Sequence, residues 1–108
     1  MNDVVIGKGK LAGKGVYAGR DFKKGEIVIK YKLKFLSNEK YKSLPKKEKM
    51  FTHSYRGRIY LYSEPERYVN HSKRPNTIQD HIKKADVALR NIKKDEMITC
   101  DASKDNVI

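Results

Sequence analysis

The 108-residue sequence predicts one mostly β domain of short sheets, interrupted by a single short helical insert. Three observations carry this expectation. Apolar residues come in brief β-branched runs, such as Val4-Val5-Ile6 and Ile27-Val28-Ile29, next to turns rich in glycine and lysine. A strand-turn-strand pattern occurs twice, Ala18, Arg20, Lys23, Lys24 and Glu26 recurring 70 residues later as Ala88, Arg90, Lys93, Lys94 and Glu96. Phe22 and Ile27 correspond to Ile92 and Met97 in the same frame. Helical patterning is confined to 35–55. One unit used twice is not a solenoid period. It suits a small β fold closed by two related halves.

Taken in order, Val4-Val5-Ile6 reads as a first strand and 7–15 as a glycine- and lysine-rich turn. Gly7-Lys8-Gly9-Lys10-Leu11-Ala12 fits the dinucleotide fingerprint by letter, but no helix pattern follows to present its N-terminus to a pyrophosphate. A Walker loop fails as well, because Gly15 follows Gly13-Lys14 where serine or threonine is needed. The stretch 20–31 reads as a turn at Lys23-Lys24-Gly25 and then a strand. In 35–55, Ser37 is an N-cap and Pro45 opens a second short helix over 46–51. Tyr41, Leu44, Met50 and Phe51 supply a buried stripe there. Arg56-Gly57 turns the chain into a strand over 58–62. Strands over 77–82, 85–92 and 97–100 follow, and 101–108 is a polar end.

Between these elements lies Arg67-Tyr68-Val69-Asn70-His71-Ser72-Lys73-Arg74-Pro75-Asn76. Its composition suits a fixed irregular turn. Pro75 restricts its own φ and pushes Arg74 towards extended geometry. Asn70, Ser72 and Asn76 can bond neighbouring backbone groups and hold the bend. Ser72 and Asn76 are expected to stabilise the turn and touch nothing else.

The segment Asn70-His71-Ser72-Lys73-Arg74-Pro75-Asn76 resembles the Asn-His-Ser-x-x-Pro-Asn signature of SET domains, which are S-adenosylmethionine-dependent protein lysine methyltransferases. Gly13-Lys14-Gly15-Val16-Tyr17-Ala18 is similar to the glycine segment that opens those domains. The resemblance implies a β-clip-like fold of short sheets with a threaded C-terminal segment, an exception to unthreaded chains. It makes 1–108 a single SET-like domain with a short variable insert at 37–57. It also implies a cofactor, S-adenosylmethionine, held by Gly13, Lys14, Gly15, Val16, Tyr17, Arg67, Tyr68, Asn70 and His71. Glycine lets the main chain approach the methionine part without a Cβ in the way. By the same resemblance Asn70 would bond the amino-acid end through its side chain, His71 would hold the adenine chiefly through its main chain, and Arg67 and Tyr68 would support the turn.

Tyr31 corresponds to an aromatic that lines the family's lysine channel, and equally reads as a core aromatic on a strand. Gln79 stands where some members carry another channel tyrosine. Cys100 occupies the position whose aromatic often limits the number of methyl groups added. The C-terminal motif departs from the pattern: the usual catalytic tyrosine is Ala102. Loss of one donor at the methyl group would raise the barrier by ~2–4 kcal/mol, by analogy with a single oxyanion-hole donor. Tyr17, Tyr60 and Tyr62 are candidates to take its place. Two other readings stand beside the methyltransferase: a catalytically silent SET-like module, and a small basic β domain binding RNA or DNA through stacked tyrosines.

Charge bears on partners. Lys and Arg number 25 against 13 Asp and Glu, a net +12, which favours acidic or nucleic-acid-associated partners and repels basic peptides at low salt. The substrate implied is a protein with an accessible lysine. A short domain without a cysteine-rich tail could complete its lysine channel as a homodimer. No apolar run is long enough to span a membrane, no signal-peptide core is present, and the one cysteine points to a reducing, intracellular (cytoplasmic) setting. His53, His71, His81 and Cys100 lack metal-ligand spacing, so no metal is expected.

Overall fold

The computed structural model describes residues 3–101. β1 (Val4–Leu11) and β2 (Lys14–Ala18) form a hairpin around Ala12 and Gly13, whose φ values of 53° and 78° give the two-residue turn that matches strand twist. The expected turn over 7–15 is therefore mostly strand, and only its tip turns. Its glycines are where strands crowd: a Cβ on Gly9 would lie 2.3 Å from the Lys14 carbonyl oxygen, beside a register shift between Lys8 and Leu11.

β3 (Ile27–Lys30) is followed by β4 (Lys34–Leu36), α1 (Asn38–Ser43), α2 (Lys46–Lys49), β5 (Thr52–Tyr55) and β6 (Arg58–Leu61). The stretch 35–55 thus differs from the helical expectation at both ends, because β4 and β5 pair with β6 on its two edges. Arg56 and Gly57, with φ of 49° and 75°, make the β5–β6 turn. Ser37 Oγ accepts the Lys40 N–H at 3.2 Å and caps α1 as expected. The two helices are short and bury none of their own residues. Of the expected stripe only Phe51 is buried, while Met50 is 56% exposed.

A 3-10 turn at Glu66–Tyr68 leads into β7 (Asn70–His71), β8 (Thr77–Asp80), β9 (Ala85–Ala88) and β10 (Met97–Cys100). Asp80 ends β8 early by accepting the Ile82 and Lys83 N–H groups on Oδ1. Strands join in three sheets, β1-β2-β10-β7, β3-β9-β8 and β4-β6-β5. β10 pairs antiparallel with β2 and parallel with β7, so the C-terminal strand runs between the hairpin and the Asn70 segment.

The two sequence copies meet face to face. Phe22 and Ile92 exchange backbone N–H···O bonds of 2.7 and 2.9 Å, and both side chains are buried. Lys24 N–H donates to Asn91 Oδ1 while Lys94 N–H donates to Asp21 Oδ1, at 2.9 and 2.8 Å. Gly25 N–H reaches the Ala88 carbonyl, and Asp95 N–H reaches that of Ala18. Asp95 takes the left-handed conformation that Gly25 takes in the other copy, with φ of 75° and 89°. Val16 and Ile98, fully buried, fill the core under this junction.

Candidate functional site

Asn70 ties the glycine hairpin to the second motif. Its amide NH2 donates to the carbonyls of Lys14 (3.0 Å) and Tyr68 (2.8 Å), and its Oδ1 accepts the Lys10 N–H (2.8 Å). The side chain is buried, so these bonds form in a low-dielectric setting where an unmade partner is costly. Gly15 lies against it: a Cβ there would come 3.4 Å from Asn70 Nδ2 and 3.1 Å from the Lys8 carbonyl oxygen. Two turns more than 50 residues apart in sequence therefore share one wall.

Around that wall the expected cofactor residues divide. Gly13 turns the exposed tip of the hairpin, and Lys14 places its Nζ 4.9 Å from the centroid of the Tyr68 ring. Tyr68 packs edge-on against Phe51, with ring centroids 5.5 Å apart. Arg67 lies over the same Phe51 ring, 4.8 Å from its centroid, its guanidinium donating to the Tyr62 carbonyl and to Glu48 Oε2 at 2.8 Å. Val16 is wholly in the core, and the Tyr17 hydroxyl donates back to the Lys8 carbonyl at 2.7 Å. His71 pairs with Cys100 through the backbone of β7, while its imidazole is 46% exposed with Nδ1 3.7 Å from Asp101 Oδ1.

Asn76 does more than hold its own turn, which corrects the sequence expectation. It is 1% exposed, donates from Nδ2 to the Met97 carbonyl at 2.7 Å and accepts the Thr99 N–H on Oδ1 at 2.8 Å. Thr77 Oγ1 adds a bond to the Thr99 carbonyl, so the segment after β7 clasps β10. Ser72 does hold the bend, accepting the Arg74 N–H on Oγ, but its own N–H donates to the Cys100 carbonyl.

Next to β7 and β10 is a cavity of about 160 Å³, lined among others by Tyr31, Tyr62, Gln79, Asp86 and Cys100. Tyr31 and Tyr62 meet edge-to-face at 5.7 Å. The Tyr31 hydroxyl donates to Asp86 Oδ1. Burial first, then the Asp86 charge and hydrogen bond, push the Tyr31 phenol far above its usual range, so it stays protonated as a donor. Asp86 was missed in the sequence; the signal was a carboxylate inside the run Ala85-Asp86-Val87-Ala88, all four residues of which are buried. Glu66, on the same cavity, accepts the Lys32 N–H on both oxygens, and burial still pushes its carboxyl up.

Position 102 lies outside the described residues. Of the three tyrosines considered as replacements, Tyr62 lines the cavity, Tyr17 is bonded to Lys8, and Tyr60 packs against Phe35 at 6.0 Å. A wider open groove of about 580 Å³, lined by Val5, Ile6, Val28, Lys30 and Pro65 among others, includes none of the motif residues. Among the described residues no three His, Cys, Asp or Glu side chains converge as a metal site, and no helix is long and apolar enough to cross a membrane.

Comparison with known proteins bears on this geometry. A family model described as SET domain matches residues 13–101. Histone-lysine N-methyltransferase 2D from Homo sapiens and that from Mus musculus are each 29% identical over 119 aligned residues, which cover 93% of this chain. The chain spans about 2% of the length of those relatives. A solved Plasmodium falciparum structure, described as a candidate histone methyltransferase, superposes with a TM-score of 0.72 at 24% identity, covering 94% of this chain and 93% of its own. A Chaetomium thermophilum Polycomb Repressive Complex 2, autoinhibited and bound to S-adenosylmethionine, superposes at 0.74 with 21% identity, over 96% of this chain and 15% of its own. At such identities the structural likeness carries the fold.

Proposed function

The chain belongs to the SET domain family, and from that premise we propose that it transfers a methyl group from S-adenosylmethionine to a lysine side-chain amine in a protein. The observation that carries this reading is the junction at Asn70, where the glycine hairpin and the Asn-His segment share a wall beside the Tyr31–Asp86 cavity. The donor set fits the amino-acid end of the cofactor. Asn70 Oδ1 has a second lone pair beyond the Lys10 bond for an α-ammonium, and Lys14 brings a cation for the α-carboxylate. Both Asn70 N–H donors are engaged with the chain, so the side chain acts there as an acceptor. Backbone at Gly13, Gly15 and His71 completes the cradle in this reading.

When bound, the cofactor supplies an electrophilic methyl carbon on a sulfonium. The chain's own task is to align the lysine amine, exclude water and take a proton from it. Tyr31, Tyr62 and Cys100 form the walls that align it, and Tyr62 stands in for the hydroxyl that Ala102 lacks. The insert at 37–57 flanks this side and shapes the substrate's approach, the whole chain 1–108 working as one domain inside the cell. The relatives are named for histone lysines. A +12 surface opposes a bare basic tail, so the substrate is better met on nucleic acid or next to acidic residues.

The departure at Ala102 favours one second reading, a silent module that binds the cofactor without transfer. Incubation with cofactor carrying a labelled methyl, and with a mixture of acidic, basic and nucleic-acid-bound proteins, separates the two. Label recovered on lysine supports the enzyme. Binding without any incorporation supports the silent module, and steep salt-dependent RNA or DNA binding with no cofactor effect would overturn both.

A further inference from the structure

Two acceptors face one cavity from adjacent strands. Gln79 on β8 and Asp86 on β9 are directly opposite in the antiparallel register, which puts their side chains on the same face of the sheet. Both line the cavity of about 160 Å³ with Tyr31, Tyr62 and Cys100. Asp86 is 2% exposed and accepts the Tyr31 hydroxyl. Gln79 Oε1 is buried, and no donor reaches it among the described residues. A buried amide oxygen that no donor reaches is a costly arrangement, and a group that brings donors to it removes that cost.

An alkylammonium supplies that group. It carries a positive charge for Asp86 and three N–H donors on one tetrahedral nitrogen. We infer that Asp86 and Gln79 together receive the N–H donors of the target lysine's ammonium in this cavity, an inference that rests on the methyltransferase reading. Tyr31 is a positioning residue, its hydroxyl fixing the Asp86 carboxylate.

Deprotonation then has a defined route. One Nζ–H bond breaks and an O–H bond forms on Asp86, the electron pair stays on nitrogen, and the proton later leaves to solvent. Gln79 Oε1 holds a second N–H and keeps the lone pair aimed. The pair also selects substrate. A monomethylated lysine still offers two N–H donors to two acceptors, whereas a dimethylated one offers a single N–H. The site therefore favours unmethylated and monomethylated lysine, whatever room Cys100 leaves.

The binding measurement needs neither cofactor nor turnover, and the labelled-methyl assay is read beside it. The full chain is titrated with n-butylammonium, N-methylbutylammonium, N,N-dimethylbutylammonium and n-butanol, following the Asp86 carboxyl carbon and the Gln79 side-chain amide by NMR. The first two should shift both signals with similar affinity, the dimethyl compound should bind about fivefold more weakly, and n-butanol should leave both unmoved. Asp86→Asn should weaken n-butylammonium about tenfold, and Gln79→Leu should erase the preference for primary over dimethyl amine. Tighter binding with each added methyl would overturn the inference and turn the tyrosines into a methylammonium box. Equal binding by Asp86→Asn would overturn it too, and if that variant fails to fold, the order of affinities in the parent decides alone. Methyl transfer to lysine without this order of affinities would remove the acceptor pair and leave the enzyme. The order without any methyl transfer would keep the pair and remove the enzyme.

Discussion

Replacing Asn76 with alanine should unfold the clasp on β10, and the structure sets the size of the effect. Its amide makes two short bonds, 2.7 Å to the Met97 carbonyl and 2.8 Å from the Thr99 N–H, and two longer ones of 3.3 Å to Glu96 and Thr99 Oγ1. Each short bond is worth about 1 kcal/mol net, and leaving the backbone partners unmet in a buried site adds to that. The expected loss is about 2–4 kcal/mol, a large share of a small domain's stability. Urea unfolding should show a lower midpoint with the same slope, and thermal unfolding a fall of roughly 10–20 °C. Asn91→Ala is the control. Its exposed Oδ1 accepts one N–H, from Lys24, and its removal should cost less than about 1 kcal/mol. If the two variants lose similar, small amounts, the assignment of Asn76 as the clasp is wrong.

Three further outcomes follow from the same geometry. Asn70→Ala should abolish the thermal stabilisation given by S-adenosylmethionine, because the amide shapes the glycine hairpin and, in the proposed function, its Oδ1 accepts from the cofactor; an equal shift in variant and parent would remove that role. Glu96 is held below the ordinary carboxylate range, first by the hydrogen bond from Arg90, so its contribution is present above the unfolded value and is lost as pH falls through the folded one. Glu96→Gln should therefore lower stability at neutral pH by under about 1 kcal/mol, with the gap to the parent closing in acid; a gap constant with pH would contradict this. Tyr62→Phe should lower kcat by about tenfold to a hundredfold with KM little changed, whereas Tyr17→Phe should leave both alone, since that hydroxyl is bonded to Lys8.

The parts of the fold that sequence made legible are those where one residue's backbone need is unusual. Gly25 marks a left-handed turn, and the repeat at 88–97 predicts its counterpart, where Asp95 accepts the same conformation. Ser37 announces a helix start by its own side-chain bond. Legibility fails where partners decide. Phe35-Leu36 and Thr52-His53-Ser54-Tyr55 become strands because β6 lies between them, and lysine-rich helical neighbours mask that pairing. Gly7 and Gly9 read as turn formers, yet they are needed for close strand contact, which depends on Tyr17 and Lys14 across the hairpin.

The candidate site divides along the same line. Asn70 and His71 stood out through motif wording, and their proximity to the glycine hairpin followed from the family resemblance. The clasp made by Asn76 did not, because its partners Met97 and Thr99 lie more than 20 residues away. Asp86 was hidden because an acidic residue in a strand usually faces water, and only register against Gln79 and contact with Tyr31 turn it inward.

Titration calorimetry of the full chain with S-adenosylmethionine and with its demethylated product addresses the central claim, that the Asn70 junction is a sulfonium-ligand site. The account predicts saturable one-to-one binding of both, lost in Asn70→Ala while that variant remains folded. Heats indistinguishable from dilution for both ligands, with the parent chain folded, would contradict it.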